Sequence, residues 1–246
     1  MDKNSKLELE NSREYHFVIL GYSEFKDIYA KLTANLNFYR FQNRGKIETK
    51  EVIYDVPDNT LTDAGIVISI LEENSKYTLK VRKISRLQGE LKRAPKTYVL
   101  GRVEKGEEPK DYSLQVSSAI EDAFTTNFTT DIDDFVKKTV AKIEVDIEAN
   151  KYNIICGSGY RASILFENAT YKDIKTGNKV SRAGVTLQLP RQPRPESEEL
   201  LKVIDRKVCE LALYNYSRFE IASQLLYPKV PEVEEQLETD EDSNEE

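Results

Sequence analysis

The sequence predicts an α+β protein in which one antiparallel sheet closes on itself, with a helical insert and further helices near the C-terminus. Strand-like segments occur in two groups, and several of them alternate polar with apolar residues, as half-buried strands do. A segment of helical periodicity separates the two groups, and another follows them. Strands grouped apart from helices are typical of α+β folds, whereas α/β folds alternate the two.

The first group contains four predicted strands and one helix. Ser23 is the predicted N-cap of that helix, whose apolar face continues to Leu36. Alternation is strongest in the last strand, where Lys80 and Arg82 share one face and Leu79 lies on the other. The four strands are predicted at 14–20, 50–55, 65–71 and 76–83.

The second group begins after a hydrophilic link. The predicted helical insert, at about 107–138, contains helices at 112–124 and 131–140. Turn-forming residues at 150–151 and 157–159 separate the strands that come next. These strands are predicted at 141–147, 152–156, 160–167 and 184–189. Two C-terminal helices are predicted at 196–209 and 214–227.

Composition divides the chain into three parts. We expect a flexible N-terminus at 1–12, one domain at 13–228 and a disordered acidic tail at 229–246. Residues 230–246 carry nine acids and no base, so the rest of the chain has 36 bases against 43 − 9 = 34 acids. The low sequence pI of 5.1 therefore reflects the tail and does not describe a binding face.

Several classes of protein are excluded or disfavoured by composition. Apolar residues make up 39% of the chain, which is enough for a core and argues against wholesale disorder, collagen or a coiled-coil rod. The first residues contain no apolar signal core, and no run approaches the roughly 18 apolar residues of a membrane span. We therefore expect a cytoplasmic protein with no membrane partner. His16 is the only histidine and there is no Cys-x-x-Cys pair, which argues against a Cys/His zinc site.

The most specific pattern lies at residues 54–82. Tyr54 opens a Pro-Asp turn, which is followed at fixed spacing by Gly65 and by a basic strand that ends near Arg82. This pattern resembles the CYTH family, the triphosphate tunnel metalloenzymes, and the resemblance extends over roughly residues 13–227. It implies an eight-stranded antiparallel tunnel barrel whose lumen holds a triphosphate on basic side chains and a divalent metal on acidic ones. Tyr216-Ser217-Arg218 also resembles the end of the family pattern.

The sequence departs from the family at most of the charged positions. The family opens with Glu-x-Glu-x-Lys, and the matching residues here are Glu14, His16 and Val18. Its Arg-x-Arg strand corresponds to Ser69 and Leu71, so both of those charges are absent. On the last strands a single acid remains among the matching positions, which are Ser163, Glu167, Gly184, Thr186 and Gln188.

The resemblance nevertheless implies a set of site residues. Glu14 and Glu167 are the predicted ligands of a Mg²⁺ or Mn²⁺ ion, although nothing in the sequence requires a cofactor. Glu144, Asp146 and Glu148 alternate on one predicted strand and form an alternative metal set if their face points inward. No catalytic residue is assigned. The predicted phosphate-binding residues are Lys76, Lys80, Arg82 and Lys142.

The predicted function is therefore that of a divergent tunnel-barrel protein. It binds a phosphorylated small molecule or polyphosphate in its lumen, and its catalytic acids are largely lost. One alternative is an active metal-dependent triphosphatase that hydrolyses tripolyphosphate or a nucleoside or organic triphosphate. Another is a barrel that binds no ligand and serves as a protein-interaction scaffold, with the acidic tail as one place for a partner. Nucleic acid is disfavoured, because few aromatic residues accompany the basic segment 76–96.

Overall fold

The computed structural model describes residues 8–9, 12–83, 96–123, 131–214 and 218–227. Within these ranges it contains one ten-stranded antiparallel sheet, six α-helices and one 3-10 helix. The predicted α+β class is confirmed. The predicted count of eight strands is not confirmed, because the described sheet has ten.

The strands vary widely in length, from two residues to sixteen. They are β1 Glu8–Leu9, β2 Ser12–Ile19, β3 Arg40–Asp55, β4 Ile66–Glu73, β5 Lys76–Lys83, β6 Lys96–Val103, β7 Val140–Ile155, β8 Arg161–Asp173, β9 Lys179–Pro190 and β10 Leu211–Tyr214. The helices are α1 Phe25–Asn35, α2 Thr60–Asp63, α3 Ser113–Ala123, α4 Ile132–Lys137, α5 Pro195–Lys207 and α6 Arg218–Leu226, and the 3-10 helix is Pro109–Tyr112. Among the described residues, no helix is long and apolar enough to cross a membrane.

The sheet curves so strongly that its two ends approach each other. Its strand order is β1-β6-β5-β4-β3-β7-β8-β9-β2-β10, so β1 and β2 belong to opposite ends. The two strands nevertheless follow each other in the chain. Leu9 lies opposite Tyr98 of β6, and Ser12 lies opposite Pro190 of β9. Three residues span at most about 11 Å, so this segment brings β6 close to β9.

The longest strands differ most from the sequence prediction. β7 runs without interruption through the turn predicted at 150–151, and β3 begins ten residues earlier than expected. The reason is pairing on both sides of β7. Lys151, inside the predicted turn, lies opposite Gly45 of β3 and opposite Leu165 of β8. Two hydrogen-bonded neighbours therefore outweigh the local turn preference of Asn-Lys.

Further differences occur near the edges of the sheet and at one helix end. No strand was predicted where β6 and β10 lie, and the helix predicted at 214–227 is present as α6, whose described residues begin at Arg218. β10 is extended because it pairs with β2, where Leu213 lies opposite Phe17. The N-cap of α1 is Glu24 and makes no side-chain cap, so the assignment of Ser23 was wrong.

Two apolar clusters cover the outer face of the sheet. The first packs α1 and α5 against β2, β8 and β9, with Leu32 and Leu200 fully buried between them. The second packs α3 and α4 against β4, β5 and β6, with Ile68 and Val116 fully buried. The helices therefore lie outside the curved sheet and bury one side of these strands, since alternate residues point to opposite faces.

The opposite side of the sheet holds a third apolar cluster that includes α6. Phe219, Ile221 and Ala222 of α6 pack with apolar residues of β3, β4, β7 and β8. In β7 these residues alternate at Ile143, Val145, Ile147 and Ala149. The helix α6 therefore lies against the concave side of the sheet, which we call the inner face.

Candidate functional site

A cluster of polar and charged side chains lies on the inner face beside α6. The strand register fixes its members, because residues directly opposite each other on neighbouring strands point to the same side. Glu51 lies opposite Val145, and Glu167 lies opposite Ala149. We call this set the inner cluster. Its members are Glu14, His16, Glu51, Ser69, Lys80, Arg82, Glu167, Thr186, Gln188 and Arg218.

Curvature of the sheet brings β5 and β2 face to face. Five strands separate them in the sheet order, so on a flat sheet they would lie about 29 Å apart. The charges of Lys80 and Arg82 on β5 nevertheless lower the pKa of Glu14 on β2. Their charges therefore act on one another across the concave interior.

Arg82 forms a buried ion pair with Glu51. Its Nη1 atom lies 2.5 Å from Glu51 Oε1 and 3.4 Å from the hydroxyl of Ser69. Only 1% of the surface of Glu51 is exposed. Burial raises the pKa of Glu51, but the positive charge of Arg82 and a hydrogen bond from Ser69 outweigh it and lower the pKa. Glu51 is therefore a carboxylate at neutral pH.

Arg218 forms a second buried pair, with Glu167. Its two terminal nitrogens donate parallel hydrogen bonds to the two carboxylate oxygens, each 2.9 Å long. This bidentate geometry is the strongest form of an Arg–carboxylate contact. Burial raises the pKa of Glu167, yet the charge of Arg218 and its hydrogen bonds lower it overall.

Glu14 lies where the influence of three cations overlaps. Gln188 donates a hydrogen bond of 3.0 Å to its Oε1 atom. Burial raises the pKa of Glu14, but the charges of His16, Arg218, Arg82 and Lys80 together lower it to about 2. A carboxylate therefore persists here under any physiological condition.

His16 is neutral and held in one orientation. Burial is the main cause that lowers its pKa to about 4, and the charge of Arg218 adds to it. Its Nδ1 atom lies 2.9 Å from the hydroxyl of Thr186, which also hydrogen-bonds Glu167. A carboxylate only accepts, so the Thr186 hydroxyl donates to Glu167 and accepts from Nδ1–H. Because His16 carries no charge at neutral pH, the attraction on Glu14 then comes from the lysine and the two arginines.

The positive and negative charges of the inner cluster are equal in number at neutral pH. Three carboxylates face three permanent cations, and two of the cations are held in direct ion pairs. Such a cluster can bind groups of both signs. A resident metal ion fits less well, because the described ranges bring no three His, Cys, Asp or Glu side chains together as ligands. We therefore derive no metal-dependent step.

The structure brings together four of the residues that the sequence singled out. Glu14, Glu167, Lys80 and Arg82 all belong to the inner cluster. Lys76 shares the face of Lys80 but lies exposed at the start of β5. The binding roles of these residues remain predictions.

The other predicted site residues lie on the outer face of β7. Lys142 donates a hydrogen bond of 2.8 Å to the carbonyl oxygen of Pro57. Glu144 pairs with Lys50 at 2.7 Å and with Lys172 at 3.6 Å. Asp146 and Glu148, two and four residues further on, are exposed on the same outer face. The alternating acids therefore do not enlarge the inner cluster.

Two charged members of the inner cluster, Glu51 and Arg218, were not predicted as site residues. Glu51 follows Lys50 and directly precedes the apolar residues Val52 and Ile53, so it stands at the start of the apolar part of the strand. Arg218 was noted only as part of the resemblance. The signal available for Glu51 was its place on the same strand face as Ile53, but its partner Arg82 is 31 residues away.

The architecture agrees with that of solved structures. HpAC1 from Hippeastrum, named as an adenylyl cyclase with a dominant triphosphatase activity, matches with a TM-score of 0.51 and 10% identity over 88% of this chain and 97% of that chain. A protein from Bacillus halodurans designated an adenylate cyclase matches with a TM-score of 0.49 and 8% identity, over 87% and 97%. The PH1819 protein from Pyrococcus horikoshii OT3 has a TM-score of 0.46 and 14% identity, over 85% and 97%.

The chain therefore has the CYTH-like tunnel fold. Comparison with family models and with curated proteins finds no match, so the likeness lies in the fold. The acidic tail at 229–246 and residues 84–95 of the basic segment 76–96 lie outside the described residues. A protein partner for the tail stays a prediction.

Proposed function

We propose that this protein binds a small, phosphate-rich anion in the interior of a closed tunnel. The observation that carries this proposal is that Lys80, Arg82 and Arg218 share the inner face and that their charges together lower the pKa of Glu14. They come from β5 and from the start of α6, and β5 and β2 are far apart in the sheet order. Phosphate groups are bound by such sets of Lys and Arg donors.

Tunnel closure is part of this proposal. The support is the N-terminal segment, which pairs with β6 through Leu9 and with β9 through Ser12. A closed sheet leaves no hydrogen-bonding edge at this seam and excludes bulk water from the side. Inside such a tunnel, charge–charge interactions are stronger than at an open surface. In this proposal α6 lies inside the tunnel and fills part of it with Phe219, Ile221 and Ala222.

A second candidate function is metal-dependent hydrolysis of a triphosphate. One observation favours it, namely that the inner cluster contains a third carboxylate, Glu51, in addition to Glu14 and Glu167. Mg²⁺ uses few protein ligands and keeps several waters, so these carboxylates could hold one that arrives with the ligand. The structural neighbour HpAC1 is named for a triphosphatase activity, which is a property of that protein.

Calorimetric titration of tripolyphosphate, with and without equimolar Mg²⁺, tests the proposed function. We expect saturable binding to the wild-type chain in at least one condition and its loss in the Lys80→Gln/Arg82→Gln variant. Lys50→Gln/Lys172→Gln removes the same charge from the outer face and is the matched control. Folding of each variant is checked by circular dichroism.

The outcome separates the candidates. Saturable binding without phosphate release supports the binding protein, and Mg²⁺-dependent release that Glu14→Gln removes supports the triphosphatase. Absence of any binding to the wild-type chain contradicts the proposal, as does equal binding by the inner variant and its control.

A further inference from the structure

We propose that the acidic segment 230–246 lies over a lysine surface at one end of the sheet and neutralises it within the same chain. The surface is formed by Lys172, Lys175 and Lys179, which we call the rim lysines. The segment acts as a tethered counter-ion, which keeps other polyanions away from the outside of the protein. This inference concerns the outer face and does not depend on a ligand in the tunnel.

The rim lysines lie where β8 turns into β9. Lys172 lies directly opposite Lys179 in the register of the two strands, and Lys175 lies in the turn between them. Lys172 also lies opposite Glu144 of β7, which places this pair of lysines on the outer face. Like charges directly opposite each other destabilise a pair of strands. The arrangement therefore favours an anion that lies across both lysines.

The described residues supply little negative charge to the rim lysines. Glu144 lies 3.6 Å from Lys172, but its carboxylate lies closer to Lys50, at 2.7 Å. Lys175 and Lys179 are exposed, and neither forms an ion pair within the described ranges. Two positive charges are therefore available to an anion from another part of the chain.

The chain leaves α6 beside these lysines. Tyr227 follows the last residue of α6 and donates a hydrogen bond to one carboxylate oxygen of Asp173. The other oxygen of Asp173 accepts a hydrogen bond of 2.7 Å from the backbone N–H of Lys175. A single buried carboxylate thus links the end of α6 to the turn that carries a rim lysine. The segment after Tyr227 therefore begins at the lysine surface.

This segment has the charge and the reach to cover the rim lysines. Residues 230–246 contain nine acids and no base. The first acid, Glu232, is five residues beyond Tyr227, and five residues span at most about 18 Å. Individual surface ion pairs are weak. A short tether nevertheless holds the acids near the lysines at an effective concentration on the order of millimolar, so several weak pairs form together.

Apolar contacts add to the match. Ile174 and Tyr227 are 38% and 53% exposed beside the rim lysines. The segment carries Val230 and Val233 among its first acids. Contact between these side chains removes apolar surface from water, which is favourable. The segment therefore complements the lysine surface in charge and in apolar content.

Zero-length cross-linking of the full chain tests the inference. A carbodiimide joins a carboxylate to a lysine amine in contact with it, and trypsin leaves residues 230–246 on one peptide because they contain no Lys or Arg. At low salt we expect links to the rim lysines to exceed links to Lys46, an exposed lysine of β3, by at least about fivefold. In about 1 M NaCl, where charges are screened within about 3 Å, this excess should disappear.

Matched variants show whether the lysine surface itself is recognised. Lys175→Gln/Lys179→Gln should lower the yield of links to Lys172 at least about threefold. Lys46→Gln/Lys202→Gln removes the same charge from two exposed lysines elsewhere and should leave that yield unchanged. Circular dichroism confirms that each variant is folded. An equal mixture of unlabelled and ¹⁵N-labelled chains shows whether the links lie within one chain.

Chromatography on heparin, a polyanion, tests the consequence for other ligands. Replacement of Glu232, Glu234, Glu235 and Glu238 by Gln should move elution of the full chain to higher salt. Added to this variant, Lys175→Gln/Lys179→Gln should lower the elution salt more than Lys46→Gln/Lys202→Gln does. The comparison separates the rim lysines from the change in net charge.

Three results would overturn the inference. They are equal link yields at Lys46 and the rim lysines at low salt, links that join unlabelled to labelled chains, and equal effects of the two lysine double variants on heparin elution. The second result would assign the segment to a second copy of the chain. None of them bears on the proposed function, because the rim lysines lie outside the inner cluster.

Discussion

Arg218 donates two parallel hydrogen bonds of 2.9 Å to Glu167, across 51 residues of sequence. The pair joins the first residue of α6 to the inner face of β8, and both side chains are at most 10% exposed. This contact positions α6 inside the curved sheet, where the apolar residues that follow complete the third core cluster. It also supplies the inner cluster with a cation from outside the sheet.

Removal of Arg218 should be strongly destabilising. In Arg218→Ala the carboxylate of Glu167 stays buried without its partner, and such a loss costs about 3–5 kcal/mol. The double variant Arg218→Met/Glu167→Leu removes both charges and should recover most of that stability. Urea unfolding of the three proteins measures the differences. A loss of under about 1 kcal/mol in Arg218→Ala would show that the pair does not hold α6 in place.

The titration of His16 should be displaced far from its usual range. Burial and Arg218 lower its pKa to about 4, against about 6.5 for the unfolded chain. Because this is the only histidine, its imidazole resonances need no assignment. We expect NMR to show a midpoint near pH 4 in the folded protein and near 6.5 in the urea-unfolded chain. A folded-state midpoint near 6.5 would contradict burial of the ring.

The free energy of unfolding should decrease as the pH is lowered from about 6.5 to about 4, because His16 titrates in this range. A folded pKa below the unfolded one means that the unfolded chain binds the proton first, so the contribution is complete above about 6.5. It is lost as pH falls toward 4 and amounts to on the order of 3 kcal/mol. His16→Gln should flatten the unfolding free energy between pH 6.5 and 5, where most carboxylates are still ionised. An unchanged slope in that variant would exclude His16 as the cause.

Thr186 should contribute through its hydroxyl alone. Thr186→Val keeps the shape but takes away the hydroxyl that links His16 to Glu167, which leaves the buried Glu167 and the half-buried His16 each short of a partner. We expect a loss of about 1–3 kcal/mol in urea unfolding. Thr170→Val, where the hydroxyl bonds Ser181 on the outer face, is the matched control and should change stability by under about 0.5 kcal/mol.

Phe219 should anchor α6 by packing. Its side chain is 7% exposed within the third core cluster, so Phe219→Ala should cost about 3–5 kcal/mol through lost burial and a cavity. Leu114→Ala alters a residue that is 74% exposed and should cost under about 0.5 kcal/mol. Thermal unfolding compares the two variants. Equal, small effects would mean that α6 is not packed on the inner face.

Strand alternation was predictable where one face of a strand is apolar. Leu79 and Val81 of β5 are fully buried on the outer face, and Lys80 and Arg82 point inward, as the pattern indicated. The same rule does not say which face is inside. The acids of β7 were predicted to enlarge the metal set if they faced inward, and Glu144 instead pairs with two outer lysines.

Local turn preference was the weakest guide. Asn150-Lys151 has the composition of a turn, yet both residues lie within β7. A strand with partners on both sides gains hydrogen bonds along its whole length, and those partners are distant in sequence. The edge strand β10 was likewise not predicted, because nothing local indicates that β2 will pair with it.

The sequence by itself determined the class of fold, most of the strands and helices, and the side-chain alternation that puts Lys80 and Arg82 on one face. These depend on hydrophobic periodicity and turn residues, which act within a few positions along the chain. Only the tertiary structure decided that Glu51 pairs with Arg82 and Glu167 with Arg218. These pairs arise from sheet curvature and strand order, because charges that are far apart in sequence meet only after the sheet has folded round on itself.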